Sequence, residues 1–219
     1  MLKRCFDLAL TLAALPVVAP VLIGIAAAIK LTSPGPVFYR GARVGRRGQI
    51  FRIFKFRTMV LNADKIGGSS TPDDDPRITA VGKILRRYKL DELPQLLNVL
   101  SGEMSFVGPR PQVQSEVAMY TPAERVLLEA KPGITDYASL VFRDEGAILR
   151  GSADPDKAYR EKIAPLKIHL GLYYVRHRTL IEDLKLIAAT AGAILGIDPA
   201  WCVSPALKKS GASRLKLAS

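Results

Sequence analysis

Cysteine, histidine and tryptophan are scarce in this chain of 219 residues: two, two and one. Cys5 and Cys202 lie at opposite ends, with no C-x-x-C motif and no nearby histidine pair, which excludes a disulfide scaffold and a zinc finger. A reducing, cytosol-facing location fits that usage. His169 and His177 have no supporting ligand at helical spacing and read as packing or surface residues. Acid is missing over a long interval as well. Between Asp7 and Asp64 there is no Asp or Glu, while Lys30, Arg40, Arg43, Arg46, Arg47, Arg52, Lys55 and Arg57 carry eight positive charges. The chain has a net charge of +12, so most of its excess is local to this stretch. The charged and apolar fractions, 24% and 48%, exclude a disordered tail and a polytopic channel.

The basic block follows directly on the most apolar stretch, so it points to an anionic lipid surface before a nucleic acid. Leu8 to Ile29 carries no charge. As a helix it would be about 33 Å long, enough for a hydrocarbon core of about 30 Å. A cleaved signal peptide does not suit so long a run interrupted by Pro16, Pro20 and Gly24. Lys3 and Arg4 flank one end and the basic block flanks the other, so the positive-inside rule asks for both ends on the cytoplasmic side. A hairpin bent at Pro20 satisfies that rule, and a kinked single span remains the alternative.

Beyond the turn cluster Ser33-Pro34-Gly35-Pro36, two short strands are predicted around Gly45-Arg46-Arg47-Gly48, with Phe54 and Phe56 on one face and Lys55 and Arg57 on the other. No RNA or DNA motif accompanies these residues, so nucleic acid is not an expected partner. The Asp73-Asp74-Asp75 loop reads as a solvated turn. Ile78 to Tyr88 reads as a basic amphipathic helix, and Asp91 as the N-cap of a helix with Pro94 in its first turn. Leu93, Leu96, Leu97 and Leu100 would form its buried stripe. Thr121-Pro122-Ala123-Glu124 is a capping box. Later helices are predicted over Asp156 to Val175 and Leu180 to Leu195, the second docking or lying at an interface rather than spanning.

The strings Leu90-Asp91-Glu92-Leu93-Pro94-Gln95-Leu96-Leu97-Asn98-Val99-Leu100 and Met104-Ser105-Phe106-Val107-Gly108-Pro109-Arg110-Pro111 carry the chemistry. With Lys3-Arg4, the apolar segment, Phe54-Lys55-Phe56-Arg57-Thr58-Met59 and Lys131-Pro132-Gly133-Ile134-Thr135, they resemble the monotopic phosphoglycosyl transferases, a group of bacterial sugar transferases. The resemblance covers roughly Leu2 to Leu195. It implies transfer of a sugar 1-phosphate from a nucleotide diphosphate sugar, usually a UDP-sugar, to polyprenol phosphate, with release of the nucleoside monophosphate. It also implies a re-entrant membrane helix, Mg²⁺ and a covalent aspartyl phosphosugar. By motif, Asp91 would be the nucleophile, Asp91 and Glu92 would be the metal ligands, and Glu92 would assist at the metal or take the acceptor's proton. Lys55, Arg57, Arg86, Arg110 and Arg143 would bind phosphate.

The expected fold class is therefore α+β and mostly helical. It comprises a re-entrant helix hairpin over 1–32, a catalytic head over 33–197 with interfacial helices and a short β-hairpin, and a basic tail over 198–219. The expected location is the bacterial inner membrane, with the head on the cytoplasmic face. A homodimer is compatible with the sequence, which does not fix the oligomeric state. Three departures from the family pattern stand out. Ala19-Pro20 replaces the frequent Ser-Pro at the bend, Lys89 replaces a small polar residue, and Asp136-Tyr137-Ala138-Ser139 replaces the commoner Gly-Leu-Ala-Gln, indicating a different sugar site. The rival reading is a membrane-anchored basic adaptor in which Asp91-Glu92 only caps a helix.

Overall fold

The computed structural model describes residues 2–68 and 70–209. Helix α1 spans Leu2–Thr32 as one helical element that includes Pro16 and Pro20, rather than as the pair of helices joined at Pro20 that the proline placement predicts. Its mean hydropathy reaches 2.5, and among the described residues it is the one helix long and apolar enough to cross a membrane. Ser33-Pro34-Gly35-Pro36 ends it, with Gly35 at φ +111°, a conformation that side chains disfavour.

Polar residues tie the first turns of α1 to the rest of the protein. Lys3 pairs with Asp183. Arg4 donates to the carbonyls of Val99 and Leu100, which supplies a cation at a helix C-terminus. Asp7 is buried and accepts from the Ser105 hydroxyl at 2.9 Å and the Phe106 amide at 3.2 Å. At the other end Ile29 packs with Phe56 and Leu85, supported by Leu22 and Ile25. Leu12, Val17 and Ile23, between these anchor points, are exposed.

A twisted ribbon follows: β1 (Phe38–Tyr39), β2 (Ala42–Val44), β3 (Ile50–Arg52) and β4 (Lys55–Phe56). β2 pairs antiparallel with β3 and β1 with β4, so the predicted hairpin is present as two nested ladders. Its turn is a short 3₁₀ element, Arg46–Gly48, in which Arg47 and Gly48 have positive φ. Phe54 and Phe56 share a face, since Phe38 contacts both, at ring centroid distances of 6.0 and 5.5 Å. The Arg40 guanidinium sits 3.5 Å over Phe54.

Next come α2 (Ala63–Ile66) and α3 (Ala80–Arg87), the latter capped by the Thr79 side chain accepting from the Gly82 amide. The Asp73-Asp74-Asp75 loop is a turn as expected, with Asp75 gripping the Arg77 guanidinium. A 3₁₀ turn over Leu90–Gln95 leads into α4 (Leu96–Ser101), and then β5 (Ser105–Val107). Leu96 is buried while Leu93, Leu97 and Leu100 are half-buried, so the apolar stripe is looser than predicted; Asn98 and Val99 fill the interior instead.

α5 (Gln114–Ala118) and a 3₁₀ segment, Glu124–Glu129, precede β6 (Gly133–Thr135). The capping box closes: the Thr121 amide donates to Glu124 and the Glu124 amide to Thr121 Oγ1. β5 and β6 form a parallel pair that the sequence did not announce. Immediately beyond them the chains touch. A Cβ on Gly108 would lie 2.2 Å from the Lys131 carbonyl oxygen, and one on Gly133 would lie 2.1 Å from the Gly108 nitrogen.

The remaining helices are α6 (Tyr137–Val141), α7 (Glu145–Leu149), α8 (Pro155–Lys162), α9 (Ala164–His177), α10 (Leu180–Ile194) and α11 (Ala200–Lys209). They enclose the main core, in which Tyr137, Leu149, Ile163, Leu170, Tyr174, Leu186 and Val203 are nearly inaccessible. The single helix predicted over 156–175 is two, because Pro165 in the first turn of α9 has no amide to continue the preceding ladder. The tail expected from residue 198 is also corrected. Its first part is α11, which buries Cys202, Val203 and Ala206 in the main core; residues 210–219 lie outside the described residues.

Because buried Asp7 accepts from both the Ser105 hydroxyl and the Phe106 amide of β5, Asp7→Ala leaves two donors without their partner and is expected to lower stability by about 2 kcal/mol. A depressed melting temperature in detergent checks it, and an unchanged one would contradict it.

Candidate active site

Asp91 and Glu92 lie in the first turn of the 3₁₀ segment Leu90–Gln95, not at a helix N-cap as predicted. Lys89 precedes them in the left-handed region at φ 56°, and Pro94 is tolerated because a short 3₁₀ turn needs few amide donors. This segment packs on β4 and α3. Asp91 is thereby buried to 7% exposure beside the strand that carries Lys55 and the helix that carries Arg86.

The two carboxylates have opposite surroundings. Glu92 is fully engaged: Oε1 accepts from Lys55 Nζ at 2.9 Å and from Arg110, and Oε2 accepts from Arg110 Nη1 at 2.9 Å. Burial pushes its carboxyl up, but Arg110 and Lys55 together outweigh it and hold it well below the usual range. Asp91 receives no hydrogen bond among the described residues. Burial raises its pKa above the ordinary aspartate value, with the Glu92 charge adding to the rise; Lys55 and Arg86 oppose it without cancelling it.

β5 and the Gly108-Pro109 contact deliver Arg110 to Glu92. The Arg110 amide donates to Asp136 Oδ2 at 3.3 Å, and Asp136 Oδ1 in turn caps α6 through the Ser139 amide and hydroxyl, both at 2.7 Å. Arg86 donates to Thr58 Oγ1 at 3.1 Å, and burial lowers its pKa. Burial likewise lowers that of Lys55, against the pull of Glu92.

These groups open on a cleft of about 610 Å³ lined by Asp91, Glu92, Lys55, Arg86, Arg110 and Arg143. Of the seven predicted catalytic and phosphate-binding residues, Asp91, Glu92, Lys55, Arg86 and Arg110 are thus brought together; Arg143 lies on the cleft wall, but its guanidinium donates to the Ala193 carbonyl in the last turn of α10. Arg57 is not among the lining residues. Its guanidinium donates to the Ser33 hydroxyl at 2.7 Å, the Ser33 carbonyl at 3.0 Å and the Pro34 carbonyl, fastening the loop that ends α1. Pro20 lies within α1, away from the cleft.

Sequence reasoning missed Asp7, whose partner Ser105 is 98 residues distant, and the lining pair Glu145 and Lys167. A signal for Lys167 existed: it follows Ile163 by four residues and precedes Leu170 by three, so it falls on a buried helix face.

Among the described residues no group of three or more metal-ligating side chains occurs. Asp91 is the carboxylate of the dyad with unengaged oxygens. Such a set does not make a protein cage, but it suits Mg²⁺, which is commonly held by one or two carboxylates together with substrate phosphates.

Residues 1–196 match the profile of the bacterial sugar transferase family. The chain belongs to that family. It is similar to the exopolysaccharide production protein ExoY of Sinorhizobium fredii, 34% identical over 207 residues, covering 88% of this chain and 84% of the relative. It is also similar to the exopolysaccharide production protein PSS of Rhizobium leguminosarum bv. phaseoli, 40% identical over 196 residues, 86% of this chain and 92% of the relative. The UDP-glucose:undecaprenyl-phosphate glucose-1-phosphate transferase of Escherichia coli K12 is 39% identical over 198 residues, 87% of this chain but 39% of that longer protein. Family membership favours the enzyme over the adaptor: a sugar transferase has a use for a buried carboxylate in a cationic cleft, and a lipid-binding adaptor has none.

Proposed function

We propose that this sugar transferase moves a sugar 1-phosphate from a UDP-sugar to polyprenol phosphate, giving polyprenyl-diphosphate-sugar and UMP, as the first membrane step of glycan assembly. The observation that carries the reading is Asp91: buried, without a hydrogen bond among the described residues, and facing a cleft lined by Lys55, Arg86, Arg110 and Arg143.

In this reading an Asp91 carboxylate oxygen attacks the sugar-bearing phosphorus. The bond from that phosphorus to the oxygen bridging to the α-phosphate breaks, and UMP departs with the electron pair. An oxygen of polyprenol phosphate then attacks the same phosphorus, and the bond to Asp91 breaks. Lys55, Arg86 and Arg110 screen the repulsion between the carboxylate and the diphosphate and neutralise charge on the departing phosphate. Glu92 keeps Lys55 and Arg110 in place; held at low pKa by both, it is poorly suited to accept a proton. Mg²⁺, bound at Asp91 with donor phosphate oxygens, would supply further charge neutralisation.

The membrane is the meeting place of a soluble donor and a lipid acceptor. Both ends of α1 are fastened to the same head while its middle is exposed, which supports a re-entrant segment with the head on the cytoplasmic face of the inner membrane. Exposed Ile181, Leu184, Ile194, Leu195 and Trp201 on and beyond α10 suit an interfacial position, and exposed Arg40, Arg46 and Arg47 suit anionic headgroups.

The test is UMP formation from UDP-sugars with and without undecaprenyl phosphate. Sustained UMP release that requires the lipid supports the reading. Salt-sensitive binding to anionic vesicles with no nucleotide product would restore the adaptor.

The raised pKa of Asp91 also sets a pH dependence. A nucleophilic carboxylate must be ionised, so kcat/KM should fall with acid around a pKa above the ordinary aspartate value. Lys55 favours the ionised form, so Lys55→Met should move that limb to still higher pH. An acid limb unmoved by the substitution would argue against Asp91 as the titrating group.

A further inference from the structure

A second charged pair lines the same cleft and has no part in the chemistry at phosphorus. Glu145 begins α7, and Lys167 lies on α9; the Lys167 amine bonds Glu145 Oε2. Lys167 is 9% exposed, Glu145 31%. The amine also lies 5.0 Å from the Tyr159 ring centroid and 5.9 Å from that of Phe142. Ile163, Leu170 and Tyr174 share its helix face and are buried. An apolar residue would fit there with less desolvation cost, so stability alone does not account for the lysine. Burial lowers the Lys167 pKa and Glu145 opposes that fall. Glu145 Oε1 receives no hydrogen bond among the described residues, so one acceptor in the cleft is held in orientation and unspent.

We infer that Glu145 reads the donor sugar, accepting a hydrogen bond from a hydroxyl or amide N–H of the sugar ring, with Lys167 as the positioning residue that fixes its carboxylate. The inference rests on the transferase reading above. A carboxylate repels a diphosphate, so its partner on the donor is a neutral hydrogen-bond donor, and the sugar ring is rich in hydroxyls. Both residues also act electrostatically on Arg110, which grips Glu92 beside Asp91. That is the neighbourhood where the sugar stays through both displacements, whereas the nucleotide departs after the first. Asp136, the first residue of the segment that departs from the family pattern, bonds the Arg110 amide and acts on Lys167 as well.

The experiment uses the full chain in detergent with undecaprenyl phosphate. UDP-glucose, UDP-galactose, UDP-N-acetylglucosamine and UDP-N-acetylgalactosamine are compared in wild type, Glu145→Ala, Glu145→Gln and Lys167→Arg. For each, kcat/KM, inhibition by UMP and melting temperature are measured. Glu145→Ala should change the ratio of kcat/KM between donors, or the KM of the one donor used, by about tenfold or more, with UMP inhibition unchanged. Glu145→Gln, which keeps an acceptor oxygen, and Lys167→Arg, which keeps the charge, should stay closer to wild type. Equal losses for all donors would overturn the inference, as a structural pair; so would a parallel weakening of UMP, which would place the pair on the nucleotide. Wild type inert with all four donors would instead strike at the transferase reading itself.

Discussion

Asp91→Asn is expected to lower turnover on the order of 10⁴-fold or more while making the protein more stable. Asparagine matches aspartate in shape but has no anionic oxygen to bond phosphorus. Because Asp91 has no hydrogen bond among the described residues, the substitution breaks none. The sign of the stability change follows from the raised pKa: the ionised side chain costs free energy in the folded state above that pKa, so at neutral pH its removal relieves the cost. An inactive variant with a higher melting temperature is the expected result. A variant that loses activity by unfolding would contradict it.

Glu92→Ala is expected to fail in the opposite way. It leaves Arg110 and Lys55 half-buried without their shared carboxylate, and removing one partner of such a cluster costs about 3 kcal/mol or more. Activity falls as well, because both cations lose the group that holds them at the cleft. The Glu92 contribution is present above the ordinary glutamate pKa and is lost as pH falls through the depressed value. Wild type should therefore lose stability in acid over a range where the variant, already without that contribution, changes less. Denaturation at neutral and acidic pH measures both. Adjacent acids whose substitutions shift stability in opposite directions would be hard to reconcile with two interchangeable metal ligands.

Local signals were legible in the sequence. The uncharged run and the basic block after it marked out α1 and the ribbon, the Thr121 to Glu124 spacing gave a capping box that closes, and the family motifs named Asp91, Glu92, Lys55, Arg86 and Arg110, which meet at one cleft. Spacing also put Arg57 opposite the phenylalanines, but it could not say that the Ser33-Pro34 loop would fold back to receive its guanidinium. What depended on distant partners stayed hidden. Asp7 marked only the edge of an acid-free interval until strand β5 met it, and the β5–β6 pair exists because two glycines let backbones touch. Residues after 197 looked like a tail because Cys202, Val203 and Ala206 are too few to announce a buried face by periodicity.

Covalent transfer through Asp91 is tested by the intact mass of the protein after brief incubation with a turned-over UDP-sugar and no lipid acceptor, quenched in denaturant. The expected result is a gain of one sugar phosphate on the peptide carrying Asp91, a matching single burst of UMP, and discharge of the adduct when undecaprenyl phosphate is added. Rapid lipid-dependent turnover with no adduct and no burst would contradict it.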